Sequence, residues 1–179
     1  MSVIFKHKGS SVKIPQRGRE PQNEEYGGET HKGALICPEC HSVYHRKKWY
    51  HEDDVAIGHL LRENGKVVVV KKKICPACKM IKDHLFEGEL FVENVPKQYR
   101  KEIFRLIHGF GEHAREKDPQ DRLIQVTEYK EGCYRVTTTE NQLAVRMAKK
   151  IQEAFAIVDV DISYSPEPAE VSRIHAIFG

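Results

Sequence analysis

The chain has 179 residues, of which 40% are hydrophobic, and its formal net charge is +3. This length suits one ordinary domain or two small ones, and the apolar fraction is sufficient for a buried core. No run of about 18 apolar residues occurs, and the first residues lack the apolar middle of a secretory signal, so we expect a soluble, cytoplasmic protein without membrane contact.

The positive charge lies in the first half of the chain. Residues 1–32 carry a net charge of +2 and residues 33–86 carry +4, whereas residues 87–179 carry −3. An anionic partner is therefore expected to meet the first half. Residues 1–32 are polar and show neither helical nor strand periodicity, which predicts a flexible basic tail.

Two copies of the motif CPxC follow this tail. Cys37 and Cys40 form the first pair, and Cys75 and Cys78 form the second. Two residues between thiolates let one tight turn offer both sulfurs to one ion, and the proline stiffens that turn. The sequence therefore predicts one structural Zn²⁺ per chain, bound by four cysteines within a zinc-ribbon module at residues 33–87.

Other interpretations of the cysteines remain open at this point. An odd total of five does not indicate a disulfide framework and favours a reducing compartment. A thioredoxin-like redox site would need a single CxxC at the start of a helix, and His41, His45 or His84 could replace one cysteine as a ligand. A catalytic zinc keeps an open position, which four cysteines do not leave. Cys133 is interpreted as an ordinary strand residue.

Between the two pairs, the segment DDVAIGHLLREN predicts a short helix. Asp53 or Asp54 can cap its start, and Gly65 can close its end. The β-branched run VVVVKKK follows and predicts extended structure before the second CPxC motif.

Basic and aromatic residues surround the predicted metal. Cations at phosphate spacing and planar rings for stacking are what an RNA-binding surface needs. For each lysine alone a solvated charged face is the favoured interpretation, and Trp49 is better suited to be the core of the small module than a stacking platform, because no other residue there could fill its interior. Taken together, these residues predict an RNA-binding cluster. Its members are Arg46, Lys47, Lys48, Trp49, Tyr50, Lys71, Lys72, Lys73, Lys79 and Lys82.

Residues 88–179 are predicted to form a ferredoxin-like α+β domain, because their elements follow the order βαββαβ with one weaker strand at the end. GELFVEN predicts the first strand, and the helix after Pro96 has one apolar face. The segments RLIQVTEY and CYRVTTT flank KEG and predict a hairpin. The apolar face of the helix consists of Tyr99, Ile103, Leu106, Ile107, Phe110 and Ala114.

The second helix of this domain is predicted from a capping box, with Thr139 as the N-cap and Gln142 three residues later. Its polar face offers a secondary RNA contact through Arg146, Lys149 and Lys150. The segment IVDVDISY alternates as a half-buried strand does, and VSRIHAIF is the weaker last strand. The residues predicted to be buried are Leu143, Ala144, Met147, Ala148, Ile151, Phe155, Val158, Val160, Ile162 and Tyr164.

The runs CPECHSVYHRKKW, CPACKMIKD and TTTENQLAVRMAKKIQEAF resemble a known family. They are similar to small prokaryotic zinc-ribbon proteins related to the adaptor that exports the large ribosomal subunit, a nonsense-mediated-decay-adaptor-like family. The resemblance covers residues 33–178. It implies zinc binding by the four cysteines and association with the ribosome or its RNA, with the large subunit as the expected partner. It does not imply nuclear export, because the further CxxC pairs of the larger adaptor are missing.

We therefore expect a non-enzymatic zinc-binding factor that acts on the ribosome in subunit maturation, quality control or dormancy. A protein partner is expected to contact residues 88–179. The alternative hypothesis is an adaptor whose zinc ribbon binds an acidic protein. The sequence contains no phosphate-binding loop, no Ser-His-Asp order and no aspartate-rich metal motif that would favour an enzyme.

Overall fold

The computed structural model describes residues 34–58, 62–63, 66–67, 71–164 and 171–179. The predicted tail at residues 1–32 lies outside this part of the chain. The described residues form a mixed α+β structure with a small four-stranded sheet, a two-stranded sheet and a five-stranded sheet.

The N-terminal half consists of short elements around the CPxC motifs. Its strands lie in the order β3-β2-β1-β6, where β1 pairs antiparallel with β2 and parallel with β6. The elements are β1 (Leu35–Ile36), β2 (Val43–His45), β3 (Lys48–Tyr50), α1 (Val55–Gly58), β4 (Arg62–Glu63), β5 (Lys66–Val67), β6 (Lys71–Lys72) and α2 (Pro76–Lys82).

The helix predicted up to Gly65 does not extend over residues 62–63 in the structure. Helix α1 ends at Gly58, and Arg62 and Glu63 of strand β4 pair antiparallel with strand β5. The prediction of a helix over residues 62–63 is therefore wrong. The sequence between these strands is Asn-Gly, the commonest two-residue hairpin turn, and this signal outweighs the helical pattern before it. Residues 59–61, 64–65 and 68–70 lie outside the described part.

The C-terminal half contains two long helices and the five-stranded sheet, which follow the element order predicted from the sequence. The hairpin, both helices and the last strand are all present. Their bounds are β7 (Gly88–Glu93), a 3-10 turn (Lys97–Tyr99), α3 (Arg100–Lys117), β8 (Leu123–Lys130), β9 (Cys133–Thr138), α4 (Asn141–Ala154), β10 (Val158–Tyr164) and β11 (Ser172–Phe178).

The strand order of this sheet is β10-β11-β7-β9-β8. A four-stranded ferredoxin-like sheet would place the strand after the second helix next to the first strand. Here β11 occupies that place and pairs parallel with β7, while β10 pairs antiparallel with β11 at the edge. The ferredoxin-like order is thus not confirmed, because the weakly predicted last strand is inserted between β10 and β7.

One face of the five-stranded sheet carries the main hydrophobic core. Side chains of β7, β9, β10 and β11 pack there against α3 and α4, including Leu90, Val136, Ile107, Met147 and Ile174. Both helices therefore cover the same face. Because side chains alternate along a strand, Phe91, Tyr129 and His175 lie on the opposite face, where the rings of Phe91 and His175 stack with centroids 4.9 Å apart.

Two residue-level predictions in this half are wrong. Glu140, not Thr139, is the N-cap of α4, since the Thr139 hydroxyl instead donates to the carbonyl oxygen of Gln120 at 2.6 Å. Tyr164 was expected inside but is 66% exposed, because it ends the edge strand β10. Val158 is buried, and Val160 and Ile162 pack against the core as predicted.

Candidate metal centre

The structure brings the four cysteines of the two CPxC motifs together. The Sγ atoms of Cys37, Cys40, Cys75 and Cys78 all lie within 4.8 Å of one another, and those of Cys40 and Cys75 are 3.6 Å apart. A tetrahedral zinc with Zn–S bonds of about 2.3 Å requires sulfurs about 3.8 Å apart. The cluster could therefore hold one metal ion, and its all-thiolate donor set is compatible with zinc.

The first CPxC motif forms a tight turn between β1 and β2. The backbone N–H of Cys37 donates to the carbonyl oxygen of Ser42 at 2.9 Å, and that of His41 donates to the carbonyl oxygen of Cys37 at 2.9 Å. His41 has a φ of 65°, in the left-handed region that a non-glycine residue seldom adopts. This turn points both sulfurs of the motif toward the second pair.

The second CPxC motif begins helix α2. Cys75 is the N-cap, Pro76 occupies the first helical turn, and the Cys75 sulfur accepts a hydrogen bond from the N–H of Cys78 at 3.4 Å. The N–H of Cys75 donates to the sulfur of Cys37 at 3.4 Å, which ties the two motifs together. A helix N-terminus favours negative charge, so this position stabilises thiolates.

A small apolar cluster encloses the cysteines. Trp49 is 5% exposed and packs there with Ala77 and the cysteines, and its ring centroid lies 5.3 Å from that of Tyr44. This position agrees with the interpretation of Trp49 as the core of the module and leaves its ring little surface for stacking on a base. Within the described residues, no histidine joins the metal-ligand cluster.

The thiols differ in how readily they ionise. Burial raises the pKa of Cys40, but hydrogen bonds from Ser42, Arg122 and Cys78 outweigh it and lower that pKa to about 6. Burial raises the pKa of Cys75 and of Cys78, and the neighbouring sulfurs add to the effect. Thiolates crowded without a cation repel one another, so a bound cation would release protons from this cluster.

The segment between α3 and β8, residues 118–122, reaches the cysteine cluster from the C-terminal half; we call it the connector. The side-chain oxygen of Gln120 accepts a hydrogen bond from the N–H of Ala77 at 3.2 Å. A second contact from the C-terminal half involves α3, where the carbonyl oxygen of Arg115 lies 2.6 Å from Nε2 of His51. No spacing motif marks Gln120, and sequence reasoning missed it.

The residues predicted to bind RNA are distributed over several elements. Arg46 and Lys47 form the two-residue turn between β2 and β3, with φ angles of 46° and 67°; we call this pair the basic tip. Both side chains are exposed, as are those of Lys71 and Lys72 on β6. In this pairing Lys71 shares a face with Trp49, whereas Lys72 shares a face with Tyr50.

The remaining predicted contacts are partly engaged. Nζ of Lys48 lies 3.9 Å from a carboxylate oxygen of Asp118 and 5.6 Å from the ring centroid of Tyr50. Lys79 and Lys82 lie on the exposed side of α2, and Lys73 is half-buried just after β6. The ten residues therefore do not form one flat surface.

The secondary contact predicted on α4 is weakened by acidic neighbours. Arg146 forms an ion pair with Asp121 at 2.5 Å, and Lys150 forms one with Glu153 at 3.1 Å. Lys149 is exposed on the same helix. Two of these three cations would have to leave a carboxylate before they could contact a phosphate.

No family model and no curated protein matches the chain in comparisons with known proteins. The family resemblance drawn from the CPxC runs therefore stays a prediction. In the part of the chain that the structure describes, no helix has the length and apolar character needed to cross a membrane.

Proposed function

We propose that this chain is a non-enzymatic zinc-binding factor that associates with the ribosome or its RNA. In this proposal the four cysteines hold one structural zinc in a zinc-ribbon module, and the C-terminal half is a variant of the ferredoxin-like domain. The protein acts in the cytoplasm, in subunit maturation, quality control or dormancy, and the expected site is the large subunit.

The observation that carries the proposal is the basic tip. Arg46 and Lys47 are exposed at a hairpin turn where both residues have positive φ, although asparagine and glycine adopt this backbone at lower cost. A strained position with two cations is often retained for function, since strain clusters at binding sites. The pair is suited to contact phosphate groups, which favour Arg and Lys.

Charge reversal tests whether the basic tip binds RNA. The variant R46E/K47E/K48E should weaken binding to ribosomal RNA and reduce the slope of log affinity against log salt, by roughly 0.7–0.9 for each phosphate group that the variant no longer binds. Zinc content, measured by metal analysis, should not change, because none of these side chains belongs to the cysteine cluster.

The matched control is R146E/K149E/K150E, which reverses three cations on α4. We expect a smaller effect on affinity, since two of these cations already have carboxylate partners. If this control abolishes binding while the tip variant keeps it, the RNA surface lies on the C-terminal half. Sedimentation of cell extract would show whether the protein travels with ribosomal particles, and with which subunit.

The alternative is an adaptor that binds proteins, and one observation favours it. The face of the five-stranded sheet opposite α3 and α4 carries the rings of Phe91, Tyr129 and His175, and Tyr129 is half exposed. Exposed aromatic rings are enriched in protein interfaces. If the wild-type protein binds no RNA and shows no salt slope, the basic tip is better explained as a contact for an acidic protein.

A further inference from the structure

A cleft of about 390 Å³ lies between the first turns of α3 and the strands β8 and β9. Its volume is in the range of sites that bind small organic molecules. Neither the cysteine cluster nor the basic tip contributes to its lining. Helix α3 contributes Arg100, Lys101, Phe104 and Arg105, and the sheet contributes Glu128 and Tyr134.

The cleft is positively charged, although the C-terminal half as a whole is acidic. Its lining contains three cations but only one acid, Glu128. Arg100 already has a partner, because its Nη1 lies 3.0 Å from a carboxylate oxygen of Glu131. Lys101 and Arg105 are exposed, and among the residues that the structure describes no carboxylate lies within 4.0 Å of either. These two cations are available to an anion.

Two aromatic side chains complete the cleft. Phe104 is 50% exposed, and the ring of His108, one turn further along α3, supports it with centroids 4.2 Å apart. Tyr134 is only 8% exposed, yet its hydroxyl has no hydrogen-bond partner in the described part of the chain. The polar groups of buried side chains are normally hydrogen-bonded. The cleft therefore offers a ring for stacking and a donor that a ligand can use.

We propose that this cleft binds one nucleotide of single-stranded RNA. The base stacks on the ring of Phe104, Lys101 and Arg105 contact its phosphate groups, and the Tyr134 hydroxyl donates to an oxygen of the nucleotide. Recognition of single strands commonly combines aromatic stacking with cations along the backbone. The inference rests on the proposed RNA association and adds a site in the C-terminal half that is separate from the basic tip.

An acidic peptide fits this cleft less well than a nucleotide does. A peptide in such a position is expected to extend the sheet by pairing with the edge strand β8. The register of β8 against β9 shifts between Leu123 and Gln125 and again between Glu128 and Lys130. Bulges of this kind hinder pairing with a further strand. A nucleotide does not need the strand edge, because its contacts are to side chains.

The test measures binding of a fluorescein-labelled, short adenine oligoribonucleotide to the full chain by fluorescence anisotropy. F104L should bind it roughly 5–10-fold more weakly, at the lower end of the loss that removal of a stacking ring commonly causes. F104W keeps an aromatic ring and should bind as well as the wild type. If F104L has the affinity of the wild type, no base stacks on this ring and the inference is wrong.

The cations are tested by K101A/R105A. This variant should bind the oligonucleotide more weakly and lower the slope of log affinity against log salt by about 0.7 for each phosphate contact that is lost. The matched control K97A/R115A also removes one lysine and one arginine, both exposed and outside the cleft, and should change both quantities far less. Equal losses in the two variants would overturn the inference.

A second measurement uses the wild-type protein, so that the inference can fail even if a variant does not fold. In amide NMR spectra the oligonucleotide should shift the signals of residues 100–105 and of Tyr134, and R46E/K47E/K48E should retain these shifts at saturation. RNA binding without these shifts would overturn the inference and leave the proposed RNA association intact.

Two further probes distinguish other occupants of the cleft. Shifts caused by adenosine 5′-monophosphate but not by the oligonucleotide would overturn the inference and assign the cleft to free nucleotides. Shifts caused only by an oligoglutamate peptide would overturn it in favour of an acidic protein partner. If the oligonucleotide does not bind the wild type at all, the inference is wrong, whereas the proposed ribosome association fails only if ribosomal RNA is not bound either.

Discussion

At the scale of single residues, the basic tip combines positive charge with an unfavourable backbone. Arg46 and Lys47 have φ angles of 46° and 67°, and they are the two central residues between His45 and Lys48, which pair across the hairpin. Positive φ at both positions defines a type I′ turn, for which Asn-Gly is preferred. For other residues the left-handed conformation costs about 1 kcal/mol each.

Replacing the tip by the preferred residues should stabilise the N-terminal half. We expect R46N/K47G to raise the free energy of unfolding of the zinc-loaded protein by about 1–2 kcal/mol, because both strained positions are relieved. Denaturant unfolding followed by the fluorescence of Trp49, the single tryptophan, would measure it. The control R46K keeps both the positive charge and the strained backbone at residue 46, so its free energy of unfolding should equal that of the wild type. A stability equal to that of the wild type in R46N/K47G would contradict this explanation.

Glu140 is the residue whose ionisation should link stability to pH. Burial raises its pKa to about 7, and the nearby carboxylates of Glu87, Asp121 and Asp118 add to the effect. An acid whose pKa is higher in the folded state binds more protons there than in the unfolded chain. Stability therefore falls as pH rises from about 4.5 to about 7.

The variant E140Q should remove this penalty. At pH 8 we expect it to be more stable than the wild type by about 1 kcal/mol, after allowance for solvent screening of a half-buried carboxylate. At pH 4.5 the difference should disappear. Thermal unfolding at pH 8 and at pH 4.5 measures the difference in stability between E140Q and the wild type. The control is E112Q, on the exposed side of α3. A gain in stability that is the same at both pH values would show that charge is not the cause.

At the scale of elements, two glycines in α3 have opposite roles. A Cβ added at Gly111 would lie 2.8 Å from the Cβ of Leu123 on β8, whereas one added at Gly109 would meet nothing within 4 Å. The close approach of α3 and β8 therefore depends on Gly111. Gly109 only lowers helix propensity, which the packing of the apolar face offsets.

Alanine substitutions should separate these two roles. G109A should stabilise the protein by about 0.5–1 kcal/mol through helix propensity. G111A gains the same propensity but overpacks against Leu123, which commonly costs about 1–3 kcal/mol, so it should be less stable than the wild type. Denaturant unfolding followed by far-UV circular dichroism gives both values. The explanation fails if G111A is as stable as G109A.

The elements that the sequence predicted well are the long ones. Helices α3 and α4 and the β8–β9 hairpin follow from apolar periodicity and the KEG turn. The helix predicted up to Gly65 was wrong because a weak helical pattern competes there with an Asn-Gly turn. The place of β11 could not be predicted, since strand order depends on packing between segments far apart in sequence rather than on local pattern.

In the candidate metal site, too, the features set by local sequence pattern were predicted, whereas those set by contacts between distant segments were not. The cysteines were predicted because two CPxC motifs fix ligand type, number and spacing. Gln120 was not, because it reaches the cluster through a contact between distant segments that no local spacing encodes. Trp49 was predicted to be the core of the small module rather than a stacking platform, and its burial among the cysteines agrees with that prediction.

At the scale of the whole molecule, the described residues form separate hydrophobic clusters joined by polar contacts. The main core draws only on residues 90–178, whereas the cysteine cluster and its neighbours lie within residues 34–78. The contacts between the halves include the hydrogen bonds of Gln120 and His51 and the Lys48–Asp118 ion pair. The small clusters contain few apolar side chains, so the N-terminal half should depend on the metal.

Removal of one ligand should therefore unfold one half and spare the other. We expect the wild-type protein to contain one zinc per chain and C37S to contain none, because three thiolates and a hydroxyl bind the ion far less tightly. In C37S the fluorescence of Trp49 should shift to that of a solvated indole. The far-UV signal of α3 and α4 and its own thermal transition should persist, since their core includes no residue of the N-terminal half.

The matched control is C133S, which removes the fifth cysteine. Cys133 is buried at the start of β9 and is not part of the cysteine cluster. This variant should retain one zinc and the native Trp49 fluorescence, with only a modest decrease in the stability of the C-terminal half. Zinc retained by C37S, or equal zinc depletion in C133S, would show that the four cysteines are not the ligands. If C37S instead unfolds both halves together, the connector transmits more of the metal's stabilisation than the separate cores indicate.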